Sequence, residues 1–120
     1  MSASEFTFPK RRRLRQPAEF ERVKQNGRVQ RGRLILLSVL ETNDAAGFRA
    51  GFVTSRAVGS AVVRNRVRRR LREIVRRHQR EIADGNWIVT VARTNAAKAT
   101  YQELEVEWLR LAKRAFILAA

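Results

Sequence analysis

The segment from Ser60 to His78 constrains the fold most, because its apolar residues recur with the period of an α-helix. At about 100° per residue, the apolar side chains and one histidine fall on a third of a helical wheel. These residues are Val63, Val67, Leu71, Ile74, Val75 and His78, and Ile82, four residues beyond the segment, falls on the same arc. The remaining surface is nearly all arginine, so other parts of the chain must cover the apolar third. The sequence therefore predicts an amphipathic helix, here called the arginine helix, that packs on a core supplied by its neighbours.

The charge of the arginine helix has a single sign, which exposed helices usually avoid. Residues 61–80 contain nine arginines and one acid, Glu73. Like charges three or four residues apart repel one another, so an exposed helix usually mixes the two signs. A polyanion would neutralise this repulsion, and guanidinium groups bind phosphates through paired hydrogen bonds and stack on bases. The pattern therefore favours a nucleic-acid-binding face over a merely solvated one.

The remaining excess charge lies in one other segment. The chain has 120 residues, of which 26 are basic and 11 acidic, for a net charge of +15. Residues 10–33 and 61–80 each carry +8, whereas residues 81–120 are neutral. This asymmetry predicts one basic face, and the basic run within residues 1–16 predicts a flexible N-terminal tail.

Composition alone does not decide between DNA and RNA. The sequence contains no paired-helix DNA-reading unit and no zipper. A broad arginine face suits the phosphates and 2′-hydroxyls of RNA better than it suits a DNA groove. RNA is therefore the favoured partner.

The other elements predict an α+β fold. A short helix over residues 17–24 begins at Pro17 and stops at Gly27. Strands are expected over residues 34–40, 48–54 and 87–92, with the first two forming an antiparallel hairpin. A last helix begins at Thr100, which forms a capping box with Glu103. The order α-β-β-α-β-α predicts one domain over residues 1–120, a two-layer sandwich of a small central sheet packed with helices.

The sequence offers little for catalysis by the protein itself. It contains no cysteine and one histidine, His78, which lies on the apolar stripe and is expected to be packed in the core. Glu103, Glu105 and Glu107 alternate along the last helix, where solvent and helix-dipole roles are favoured over metal binding. We therefore expect no catalytic residue and no metal site in this chain.

Membrane association is also disfavoured. No apolar run approaches ~20 residues, and the first fifteen residues do not form a secretory signal. A membrane-active cationic protein would expose its large apolar residues opposite the arginines, but here those residues are needed for the core. We therefore expect a cytoplasmic protein that does not contact membranes.

Residues 51–73 resemble the signature of the bacterial ribonuclease P protein subunit. The resemblance lies in GFVTSRAVG over residues 51–59 and in AVVRNRVRRRLRE over residues 61–73. It extends over roughly residues 8–118. It implies that a large RNA, rather than this chain, removes the 5′ leader of precursor tRNA, using Mg²⁺ held mainly by RNA. It also implies a left-handed β-α-β crossover, although general rules favour the right-handed form.

The resemblance implies two RNA-binding surfaces. One binds the catalytic RNA and comprises Arg64, Asn65, Arg66, Arg68, Arg69 and Arg72. The other is a cleft for the precursor-tRNA leader, comprising Phe20, Lys24, Leu36, Ser38 and Arg56. Phe20 has the alternative of plain core packing. Lys24 stands where many members have a second aromatic residue, which suggests a phosphate contact there.

Stoichiometry and alternatives complete these expectations. We expect one protein per catalytic RNA, an arrangement that leaves room for weak self-association. A ribosomal protein or an RNA chaperone with a basic helix is the alternative function. Co-purification with ribosomes, rather than with one structured RNA, would distinguish it.

Overall fold

The computed structural model describes residues 10–44 and 47–118. The helices are α1 (Pro17–Asn26), α2 (Ala61–Arg77) and α3 (Tyr101–Arg114), and the strands are β1 (Arg28–Arg31), β2 (Ile35–Glu41), β3 (Arg49–Thr54) and β4 (Asn86–Ala92). Helices α2 and α3 cover one face of the sheet, and α1 lies against the other. The predicted α+β fold is therefore confirmed. No helix within the described ranges is long and apolar enough to cross a membrane.

The sheet has four strands in the order β1-β2-β4-β3. Strand β2 pairs antiparallel with β1 and with β4, and β3 pairs parallel with β4. The predicted hairpin between residues 34–40 and 48–54 is wrong, because β4 lies between those two strands. The hairpin partner of β2 is β1, whose sequence RVQR is too short and too polar to carry a strand signal.

Strand β2 is almost continuously apolar because helices cover both of its faces. Ile35, Leu37 and Val39 face α2 and α3 in the main core. Leu36, Ser38 and Leu40 alternate with them and point toward α1, as the period of a strand requires. The sheet therefore has two unequal sides, a closed core side and a partly open side beneath α1.

The arginine helix forms as predicted. Helix α2 begins after Ser60, whose side-chain oxygen accepts a hydrogen bond from the Val63 N–H at 3.3 Å. Its buried residues are Val67, Leu71, Ile74 and Val75. The apolar stripe is thus covered by the sheet and by α3, while the arginines lie outside the core.

His78 does not lie in the core, so that prediction is wrong. Helix α2 ends at Arg77, and the His78 side chain is 21% exposed. Its Nδ1 lies 2.6 Å from Glu81 Oε2, and its Nε2 lies 3.1 Å from Glu105 Oε2. The helical wheel placed His78 on the stripe only because it assumed that the helix continued.

Helix α3 confirms the predicted capping box but not the predicted role of Glu107. Thr100 accepts from the Glu103 N–H at 3.1 Å, and the Thr100 N–H donates to Glu103, which lowers the pKa of that carboxyl. Glu107, expected in solvent, is buried. Its carboxylate accepts backbone N–H groups of Arg33, Leu34 and Ile35 at 3.2, 2.7 and 2.8 Å. It therefore holds the β1–β2 turn against α3.

Part of the predicted N-terminal tail packs against the sheet. Residues 1–9 lie outside the described residues. From Lys10 onward the chain makes one 3₁₀ turn, Lys10–Arg12, and the Leu14 N–H then donates to the Ala50 carbonyl at 2.9 Å. The Leu14 side chain is buried with Val23 and Val89. This single apolar side chain anchors a strongly basic segment beside β3. Residues 10–16 are therefore packed on the sheet rather than extending from it as a tail.

Candidate nucleic-acid interface

A cleft of about 530 Å³ lies between α1 and the open side of the sheet. Its lining includes four of the five predicted cleft residues: Phe20, Lys24, Leu36 and Ser38. The fifth, Arg56, is exposed in a 3₁₀ turn after β3 and is not among the residues that line it. The chain thus brings together side chains from α1 and β2 that lie twelve to eighteen residues apart in sequence.

Paired residues of neighbouring strands form the floor of this cleft, which is here called the α1 cleft. Ser38 pairs with Val29 of β1 on one side and with Val89 of β4 on the other. Val29 and Val53 are 40% and 36% exposed, so the floor is apolar but open to solvent. Lys24 and Arg31 add two positive charges to the lining, which Glu21 offsets in part. An apolar floor with cations beside it suits a flat base attached to a charged backbone.

Phe20 forms part of the cleft and is also packed on the sheet. Its ring packs against the small cluster of Leu14, Val23 and Val89. A Cβ at Gly51 would lie 2.4 and 2.5 Å from Cε1 and Cζ of this ring. The ring therefore lies directly on the backbone of β3, and glycine there is required by this close approach. Phe20 therefore combines the two alternatives, because its ring packs on the small cluster and also lines the cleft.

Three arginines meet where the α1 cleft approaches the arginine helix. Arg13, Arg68 and Arg72 line a small pocket together with Phe20, and none of the described residues lining it is acidic. Burial, followed by the charges of Arg13 and Arg68, lowers the pKa of the Arg72 guanidinium. Arg68 is held in place by hydrogen bonds to Thr54 Oγ1 and Asn65 Oδ1, at 2.8 and 3.0 Å. This arginine pocket is a concentration of positive charge suited to a phosphate.

Among the described residues, the arginine helix divides at Glu73 into a first half, residues 61–72, whose arginines have no acidic partner, and a second half, residues 73–77, whose arginines have one. In the first half, Arg66 and Arg70 donate to the carbonyls of Ala97 and Ala99, both at 2.9 Å, and Asn65 and Arg69 are exposed. These bonds hold guanidinium groups in place without neutralising them.

In the second half, carboxylates compensate the charge. Arg76 donates to Glu73, which lowers the pKa of the Glu73 carboxyl, and Arg77 lies 3.7 Å from Glu105. The uncompensated half contains all six residues predicted to bind the catalytic RNA. Their roles stay predictions.

Sequence reasoning missed several contributors to these surfaces, among them Val29, Arg31 and Arg13. Val29 and Arg31 were missed because β1 carried no strand signal. Arg13 was assigned to a tail, although Leu14 beside it, a lone apolar residue among arginines, is a signal of anchoring. Among residues 10–44 and 47–118, no group of three or more His, Cys, Asp or Glu side chains could hold a metal ion.

The fold and these surfaces suit a small protein that binds RNA. The family model described as Ribonuclease P matches residues 8–116. This chain therefore belongs to the bacterial ribonuclease P protein family. The predicted resemblance is confirmed.

Relatives and solved structures agree with this assignment. The ribonuclease P protein component of Acidothermus cellulolyticus is 46% identical over 109 residues, which cover 89% of this chain and 90% of the relative. That of Syntrophomonas wolfei is 34% identical over 110 residues, covering 92% of each chain. The Staphylococcus aureus RNase P protein structure superposes with a TM-score of 0.83 at 25% identity, covering 89% of this chain and 97% of that one. The Thermotoga maritima protein gives 0.76 at 26% identity, covering 85% and 96%.

Family membership establishes the general role. Ribonuclease P protein components are parts of an endoribonuclease complex that processes tRNA, and the chain's partner is the RNA of that complex. The family assignment therefore favours the ribonuclease P interpretation of the basic helix over the alternative of a ribosomal protein or an RNA chaperone.

Proposed function

We propose that this chain binds the catalytic RNA through the first half of the arginine helix and the 5′ leader of precursor tRNA in the α1 cleft. In this arrangement it assists Mg²⁺-dependent removal of the leader in the cytoplasm. The observation that carries the proposal is the arginine pocket, which places Arg68 and Arg72 of the helix beside Phe20 of the cleft. A strand leaving the cleft at that end meets phosphate-binding groups at once.

The chemistry of the cleft favours single-stranded RNA over a duplex. A base can stack only if it is unpaired, and the α1 cleft offers an aromatic edge and an open apolar floor. Lys24 and Arg31 are available to the phosphates that flank such a base. The leader is the single-stranded part of precursor tRNA, so it is the segment proposed to bind here.

The metal ions are proposed to be held mainly by the RNA. Acids of α2 and α3 are already engaged within the protein: Glu73 with Arg76, Glu105 with His78, and Glu107 with backbone N–H groups. Recruiting them to Mg²⁺ would break these contacts. The protein would instead favour the metal-dependent step by positioning the leader.

Reconstitution tests the proposed function. The catalytic RNA and precursor tRNA are incubated at low Mg²⁺, and 5′ maturation is measured with and without the protein. The complete mixture is expected to cleave faster than the RNA alone, and RNA-free protein is expected to leave precursor tRNA intact. Correct 5′ maturation by protein freed of all nucleic acid would contradict the assignment of catalysis to the RNA.

A second prediction concerns salt. Each phosphate contact contributes about 0.7–0.9 to the log–log slope of affinity against salt. Replacing Arg66 and Arg69 by alanine is therefore expected to lower the slope for the catalytic RNA by roughly one to two. The fold should be kept, because both side chains are exposed.

The matched control removes the same charge from the same helix. Arg76 and Arg77 face carboxylates, so replacing both by alanine should change the slope less. If the folded Arg66/Arg69 variant showed the same salt dependence of affinity as the parent, the RNA-binding face would have to lie elsewhere on the protein.

A further inference from the structure

Phe116 lies outside both proposed RNA-binding surfaces and has an unusual conformation. Its φ is +60°, the only positive φ of a non-glycine residue among those described. Its side chain is 83% exposed, more than any other large apolar residue in residues 10–44 and 47–118. A bulky side chain in the left-handed region is disfavoured, so this position carries a conformational cost.

The backbone around Phe116 imposes that conformation. The Ile117 N–H donates back to the Ala112 carbonyl at 3.2 Å, and the Phe116 N–H donates to Lys113 at 3.1 Å. This pattern ends α3 with a left-handed residue, a position that favours glycine. Ile117 is fully buried and its carbonyl accepts from the Ala83 N–H at 2.7 Å. The chain is thus held on both sides, and residue 116 must be left-handed whatever its side chain.

Phe116 receives no packing energy in exchange for this cost. An aromatic side chain normally stabilises a domain by burial, but this one remains in solvent. Glycine would satisfy the same backbone at lower cost. A strained residue that the fold does not need points to a function for its side chain.

The surroundings of Phe116 are basic. Lys113 and Arg114 lie three and two residues before it in the chain, and both are exposed. Arg28 of β1 donates to the Ala115 carbonyl at 3.0 Å, which brings a third cation to the end of α3, and its guanidinium also lies 3.9 Å from the exposed carboxylate of Glu41. An exposed aromatic ring among cations is the arrangement by which proteins bind unpaired bases, through stacking and phosphate contacts.

We propose that Phe116 is a stacking platform for an unpaired RNA base, with Lys113, Arg114 and Arg28 binding the adjoining phosphates. The site goes beyond the two surfaces proposed above. It adjoins the edge strand β1, whose Val29 and Arg31 line the α1 cleft. The base comes either from leader nucleotides that extend past the cleft or from an unpaired segment of the catalytic RNA, and the two sources share this chemistry.

The test rests on a substitution that should keep or raise the stability of the protein while weakening its binding of RNA. Phe116→Gly is expected to melt at a temperature no lower than the parent, because the left-handed position suits glycine. The same variant is expected to bind a short labelled single-stranded oligoribonucleotide roughly 5- to 150-fold more weakly, the range for one base stacked on an aromatic ring. A merely structural role for Phe116 would instead lower the melting temperature and leave the affinity of the folded protein unchanged.

Control variants and ligands separate the explanations. Phe116→Trp should keep the affinity, Phe116→Asn should repeat the loss seen with glycine, and a fully paired hairpin should bind all variants equally. Precursor tRNAs with short and long leaders, compared with the catalytic RNA alone, identify the source of the base. If folded Phe116→Gly bound every one of these RNAs as tightly as the parent, the proposal would be overturned. A loss confined to self-association of the protein would also overturn it, because that would indicate a protein contact.

Discussion

Replacing Glu107 by alanine is expected to destabilise the domain by roughly 2–6 kcal/mol. The carboxylate is buried and accepts three backbone N–H groups, of which those of Leu34 and Ile35 are themselves buried. Alanine would leave the two buried N–H groups, those of Leu34 and Ile35, without an acceptor. Each unsatisfied buried donor costs about 1–3 kcal/mol of folding free energy. Chemical denaturation followed by circular dichroism measures the loss.

Controls separate the carboxylate from the helix that carries it. Glu107→Gln should be intermediate, because one amide oxygen can still accept but the charge is lost. Val106→Ala, at an exposed neighbouring position, should stay within about 0.5 kcal/mol of the parent. If Glu107→Ala were as stable as Val106→Ala, the carboxylate would not hold the β1–β2 turn.

The Glu107 contact also links the core to the proposed cleft. The turn that it holds connects β1 to β2, and β1 contributes Val29 and Arg31 to the floor. A loosened turn should therefore weaken precursor tRNA binding more than binding of the catalytic RNA, which is assigned to the arginine helix. Stability and leader recognition would then depend on one buried side chain distant from the RNA.

The second large effect concerns Phe20. If a leader base stacks on its ring, Phe20→Ala should weaken precursor tRNA binding by ~1–3 kcal/mol. Mature tRNA lacks the leader and should bind as before, and so should the catalytic RNA. Equilibrium binding of the three RNAs measures the difference.

Phe20 is also packed against Leu14 and Val23, so the alanine variant loses stability as well as a ring. Phe20→Leu is the matched control, since it retains apolar packing without an aromatic face. Gly51→Ala tests the same ring from β3, because the added Cβ would displace it. If Phe20→Leu is folded and still prefers precursor over mature tRNA by the parental factor, the ring does not stack on the leader.

Local sequence signals predicted the elements that depend on neighbouring residues. Thr100 caps its helix where expected, Gly27 ends α1, and the period of the apolar residues located the buried stripe of α2. These features require only the chain within one or two turns, so they can be read without knowledge of the fold. The family signature is local in the same sense, since it lies within residues 51–73.

Pairing across the chain could not be read in this way. Strands 34–40 and 48–54 are neighbours in sequence, yet β4 separates them because β2 and β4 form the most buried pair of the sheet. β1 is a strand only because β2 offers it an edge. The exposure of the His78 side chain depends on where α2 ends. The burial of Leu14 depends on a pocket that α1 and β4 form together.

The sequence by itself therefore determined the helices, the charge of the arginine helix and the family. Tertiary structure alone decided the strand order, the burial of Glu107, and the meeting of Arg13 with Arg68, Arg72 and Phe20 in one pocket. The physical reason is the range of the interactions involved. Helix periodicity and capping act over a few residues, whereas β pairing, burial of a carboxylate and a shared pocket join residues that only the folded chain brings together.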